Sequence, residues 1–108
     1  MKQVYEEDGT GEGPDGFFGM TAERMFSEVW SRQVLTVRER RLLLLGLLVG
    51  QGMDDMLERH LDTALRSGEL SPAELREVVV FLTLYAGWPR ASRLHAQVEE
   101  LISRSAGV

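Results

Sequence analysis

The feature that most constrains the fold of this chain is a nine-residue apolar run, Leu42 to Gly50, set between Arg41 and Gln51. It follows Thr36-Val37-Arg38-Glu39, a capping box in which the Thr36 hydroxyl and the Glu39 carboxylate can each satisfy an orphan amide at a helix start. The run reads as the body of a helix from Val37 to about Gly50, apolar on all sides from Leu42 to Val49. Such a helix has to sit inside a bundle or between subunits. Nine residues are about half of what a bilayer crossing requires, so no membrane association is expected.

The remaining pattern is helical from residue 21 to the end, and nothing reads as a strand. Thr21 can cap a first helix with Met25, Phe26, Val29 and Trp30 on its apolar face. Gly50-Gln51-Gly52 stops the second helix, and Asp54 and Asp55 favour the dipole in the first turn of a third. The third helix has an inward stripe of Met53, Met56 or Leu57, His60, Ala64 and Leu65, and ends at Ser67-Gly68. Ser71-Pro72-Ala73-Glu74 is a second capping box, with proline at the first helical position. It opens a fourth helix through Leu75, Val78, Val79, Leu82 and Tyr85 to Gly87. Trp88-Pro89 begins a fifth, striped by Leu94, Val98, Leu101 and Ile102. Five helices with short connections predict an all-α, antiparallel helical bundle.

At 108 residues the chain is expected to form one domain over residues 21–108, preceded by a flexible, acidic, glycine-rich arm over residues 1–20. Residues 1–20 hold Glu6, Glu7, Asp8, Glu12 and Asp15 against Lys2, a net −4, which leaves 12 acids and 11 bases in the rest, a net −1. A nearly neutral body lacks the basic surplus that binds a phosphate backbone, so no nucleic-acid partner is expected. The acidic N-terminus is opposite in character to a targeting peptide, and a cytoplasmic protein is expected. With no cysteine in the sequence, thiolate metal sites, disulfides, a cysteine nucleophile and dithiol redox chemistry are excluded together.

Two histidines, His60 and His95, are too few for a metal site without carboxylates, and no spacing suggests one, so no metal is expected. His60 follows Met56 by four residues and Met53 by seven, which puts it on the apolar side of the third helix. It can be a satisfied core or interface histidine, or a reactive one. His95 falls on a polar face between Arg93 and Gln97. Glu28 and Arg32 stand four apart beside Trp30, which can mean a helix-stabilising ion pair beside a core aromatic, or an arginine that holds a substrate carboxylate while the glutamate orients it.

Taken together, Ser27-Glu28-Val29-Trp30-Ser31-Arg32, Arg38 to Gly50, Asp54 to His60 with Leu61 and Ala64-Leu65, Ser71 to Val78, and Tyr85-Ala86-Gly87 resemble the carboxymuconolactone decarboxylase family in order and spacing. The resemblance covers about residues 22–103. It implies an alkylhydroperoxidase D-like helical fold. In that superfamily's peroxidase branch the pattern is a glutamate, two cysteines and a histidine. These fall here on Arg41, Met53, Met56 and His60, and a thioether cannot form the thiolate that attacks peroxide.

The decarboxylase branch, which lacks the cysteines, is the better match. It implies a cofactor-free decarboxylation of a small cyclic (lactone) carboxylic acid in aromatic catabolism, with the unsaturated lactone as electron sink. The implied catalytic residues are His60 as general acid with a pKa near neutrality, Arg32 as anchor or charge stabiliser, and Glu28 orienting one of them. The implied substrate-binding residues are Trp30, Met53, Met56, Leu57, Tyr85 and Trp88. No cofactor is implied, and a homo-oligomer, trimer or hexamer, is. A bulky Trp88 after Tyr85-Ala86-Gly87 and a short N-terminal segment depart from the family pattern, which keeps two other readings open. One is a catalytically degenerate oligomer that binds a ligand or partner. The other is a lyase or isomerase step on a related ring acid.

Overall fold

A computed structural model describes residues 14–106, with side chains from Thr21 onward. Among the described residues there are five α-helices and no strand: α1 (Pro14–Ser31), α2 (Val37–Gln51), α3 (Asp54–Ser67), α4 (Pro72–Ala86) and α5 (Trp88–Ser105). The all-α class is therefore as the sequence predicts. The chain divides into two compact units, Met1–Leu35 and Thr36–Val108.

In the first unit, α1 begins at Pro14 rather than at Thr21. Proline suits a first helical position because its ring presets φ and its missing amide hydrogen has no helical partner there in any case. The end of the expected arm, residues 14–20, is thus helical, and the rest of it lies outside the described residues.

In the second unit both capping boxes are formed. The Glu39 amide donates to Thr36 Oγ1 at 3.0 Å while the Thr36 amide donates to Glu39 Oε1 at 2.8 Å. The Ser71 box repeats this at 3.1 and 2.8 Å. Gly52 and Gly68 close α2 and α3 with φ of 69° and 80°, in the left-handed region where a side chain is strained. Gly52 also lies under the Arg90 guanidinium, which a Cβ would meet at 2.5 Å.

These signals deliver four helices whose stripes converge on one core. Leu45, Leu48 and Val49 of α2, Leu57, Leu61 and Ala64 of α3, Leu70, Leu75 of α4, and Leu94, Val98 and Leu101 of α5 are all buried. Burying a leucine side chain contributes roughly 1.5–3 kcal/mol, so this cluster dominates the stability of the unit. α2 and α5 each pack against the other three helices.

Three details of the expected stripes change. The inward face of α3 runs through Leu57, Leu61 and Ala64, which moves Met53, Met56 and His60 to its margin. On α4 the stripe is Leu75, Val78, Val79, Leu82 and Ala86; Tyr85, about 100° round the helix from Ala86, is 74% exposed rather than inward. The all-round apolar α2 divides likewise, with Leu45 and Leu48 in the core and Leu43 66% exposed.

Candidate functional site

The polar feature of the second unit grows from the first turns of α2. Residues 38, 41, 45 and 48 lie on one face at helical spacing, so the stripe that is leucine further along is arginine at its start. Arg38 reaches the α3–α4 connection, where its Nε donates to the Glu69 carbonyl at 3.2 Å and its Nη2 to Glu74 Oε2 at 2.7 Å. Arg41, one turn further in, is 9% exposed and is the buried charged residue of the core's edge.

Arg41 meets Glu69 as a fork. Its Nε donates to Oε1 at 2.8 Å and its Nη2 to Oε2 at 3.1 Å, the bidentate geometry that a planar guanidinium offers a carboxylate. Its remaining terminal nitrogen, Nη1, stands 2.6 Å from Nδ1 of His60. A guanidinium carries donors and no acceptor, so Nδ1 accepts and the ring proton belongs on Nε2. Among the described residues no hydrogen bond engages Nε2.

The electrostatics follow from this arrangement. Burial, and after it the charges of Arg41 and Arg59, hold the His60 pKa below its ordinary value, against an opposing pull from Glu69. Burial first, and the cation lodged against it second, thus bias the ring toward its neutral form. The hydrogen bonds from Arg41 in turn hold the Glu69 carboxyl below the usual range.

The other expected site residues fall into three groups. Glu28 and Trp30 are on α1 in the first unit, and Arg32 lies just past its last residue, Ser31, with its amide donating to the Val29 carbonyl at 3.4 Å. Met53, at the N-cap of α3, and Met56 share the His60 side of that helix, each 40% exposed. Leu57 is buried in the core cluster. Tyr85 packs its ring against Phe81 with centroids 5.1 Å apart, and Trp88 opens α5 with 73% of its surface exposed. Among the described residues no group of three or more His, Asp or Glu side chains is placed to hold a metal, and no helix is long and apolar enough to cross a membrane.

Sequence reasoning missed Arg41 as the partner of His60 and Glu69 as the partner of Arg41. Arg41 precedes Leu45 by four residues and Leu48 by seven, a signal that it continues the buried stripe. Glu69, in a four-residue connection, carries no comparable local signal.

The model of the carboxymuconolactone decarboxylase family matches residues 15–100. The chain belongs to that family. It is 33% identical over 76 residues to the 4-carboxymuconolactone decarboxylase of Acinetobacter baylyi, a match covering 70% of this chain and 56% of that one. It is 34% identical over 70 residues to the nitrosuccinic acid decarboxylase of Metarhizium robertsii, covering 65% of this chain and 48% of the relative. This member of the carboxymuconolactone decarboxylase family thus spans about half the length of the curated relatives it matches. No solved structure matches it.

Proposed function

We propose that the chain is a cofactor-independent decarboxylase for a small carboxylic acid that carries its own electron sink, with a cyclic lactone acid of aromatic catabolism as the first candidate. The observation that carries the reading is His60, whose Nδ1 is held by Arg41 while Nε2 has no partner among the described residues, in a family whose relatives are named decarboxylases. Heterolysis of the carboxyl carbon–carbon bond releases CO2 and sends its electron pair into the sink. The two relatives' names specify a lactone acid and a nitro acid, and both groups can accept such a pair, so neither metal nor organic cofactor is required by the chemistry.

His60 is the group proposed to meet the charge that develops on the sink. Arg32 is proposed to hold a carboxylate and Glu28 to orient it; Trp30, Met53, Met56, Leu57, Tyr85 and Trp88 are proposed to contact the substrate. The protein is further proposed to work in the cytoplasm as a homo-oligomer, a trimer or hexamer, with the apolar side chains of Leu43, Phe81, Leu84 and Trp88 as support. Incubation with 4-carboxymuconolactone and with nitrosuccinate, following CO2 release, tests the activity. Release that falls by about a hundredfold in His60→Ala is expected, the scale of losing one charge-stabilising donor. No release from either acid, or an undiminished His60→Ala variant, overturns the reading.

A second reading, a degenerate member that binds a ligand or partner without turnover, is favoured by the exposed Trp88 and Tyr85. Saturable binding of either acid with no CO2 release would select it.

A further inference from the structure

We propose that Arg41, braced by Glu69, is a positioning residue that keeps His60 a neutral imidazole donating through Nε2, so that the ring polarises a substrate oxygen while water supplies the proton to carbon. For its chemistry the proposal rests on the decarboxylase reading; for the state of the ring it does not.

The geometry leaves His60 little room to become a cation. Protonation would place a hydrogen on Nδ1, which now accepts from Arg41 Nη1 at 2.6 Å, so two donors and two like charges would face each other. Arg41 cannot swing away at small cost, because it is buried to 9% exposure and its other two nitrogens are committed to Glu69. Glu69 is itself held, its backbone carbonyl by Arg38 and its connection by the Arg38–Glu74 pair.

The charged groups that act on the ring are Arg41 from α2, Arg59 from its own helix and Glu69 from the α3–α4 connection. Glu69 alone of these favours the imidazolium, and both of its oxygens already accept from Arg41. Fixing one ring nitrogen as acceptor determines what the other can do. With Nδ1 accepting, Nε2–H is a permanent donor, and a neutral imidazole in that state can polarise an oxygen without giving up its proton.

The carbon–carbon bond to the carboxylate breaks, CO2 leaves, and the electron pair moves into the substrate's sink, where the oxygen that gains charge accepts from Nε2–H. The hydrogen remains on nitrogen. The carbanionic carbon takes a proton from water, which leaves as hydroxide and is neutralised by solvent. A ring that returned the proton itself would have to be an imidazolium at the start of the cycle, the form that Arg41 disfavours.

The test reads the ring directly in 15N-labelled protein, by long-range correlations of the His60 nitrogens across a pH titration. In the unaltered protein the proton is expected on Nε2. Arg41→Met removes a cation and its donor, so the His60 pKa should rise and the two tautomers mix. Arg41→Lys keeps the charge but cannot serve both partners as a planar fork does, and should mix the tautomers too. Glu69→Gln removes the group favouring the imidazolium, so the His60 pKa should fall further while Nε2 keeps its proton. Opposed shifts in Arg41→Met and Glu69→Gln support the proposal, since mere loosening of the fold would move both toward the free imidazole value. Shifts in the same direction, or a wild-type ring protonated on Nδ1, overturn it.

With a substrate in hand, kcat is expected to stay level on the alkaline side of pH ~6.5, the ordinary imidazole value. Arg41→Met should lower kcat by about tenfold to a hundredfold with KM little changed. A kcat that declines with the deprotonation of His60 overturns the proposal. If the unaltered protein releases CO2 from no acid, the decarboxylase reading fails, while the ring measurement still decides the state of His60.

Discussion

The two halves of α2 share one helical face but do opposite work on it. Toward the N-terminus the face is Arg38 and Arg41, which bind the Glu69 connection and His60 through charge-assisted hydrogen bonds. Toward the C-terminus it is Leu45, Leu48 and Val49, which bind α3 and α5 through the leucine core. The apolar half obtains its stability from area removed from water and tolerates any well-packed shape. The polar half obtains little net stability, since desolvating Arg41 and Glu69 offsets much of their attraction, but it fixes one geometry for three side chains. A helix that supplies bulk stability at one end can hold a reactive imidazole in a costly arrangement at the other.

The sharpest way to separate the halves is to damage each in turn. Leu45→Ala, at a position with no exposed surface, is expected to cost about 2–5 kcal/mol in urea denaturation while the His60 tautomer stays unchanged. A variant that also mixed the tautomers would show that the halves are not separable. Arg41→Met should cost less, about 2–3 kcal/mol, because Glu69 is left without its fork. Adding Glu69→Gln to it should cost at least about 0.5 kcal/mol less than the two single costs combined. Additive losses would mean that the pair is not coupled in solution.

A smaller effect is expected where the two capping boxes start their helices. Ser71→Ala removes the acceptor for the Glu74 amide and should cost about 1 kcal/mol, leaving the ring of His60 untouched. If it instead disturbed His60, the α3–α4 connection would be held by the cap of α4 rather than by Arg38 and Arg41.

Much of this architecture was legible in the residues because it is written in local chemistry. Thr36, Glu39, Ser71 and Glu74 announce two helix starts within four residues each, and Gly52 and Gly68 announce two ends by a backbone angle that side chains avoid. The stripe Leu94, Val98, Leu101 reads the same in sequence and structure. Tyr85 misled because it sits one residue from the true stripe, a distance that helical periodicity on an apolar-rich helix cannot resolve. The surroundings of His60 were illegible for a different reason. Arg41 and Glu69 are 28 residues apart, and a pairing of that kind depends on how α2 and the α3–α4 connection meet, which no local pattern encodes.

The central claim is that burial and the cation beside it keep His60 neutral with its proton on Nε2, and titrating that ring by 15N chemical shift in the unaltered protein tests it most directly. A folded pKa below the unfolded one means the unfolded chain binds the extra proton first, so stability should be complete above pH ~6.5 and decline as acid is added through the folded value. The predicted result is a His60 midpoint below 6.5, with the proton on Nε2 throughout the neutral range. A midpoint at or above 6.5, or a proton resident on Nδ1, would contradict the account.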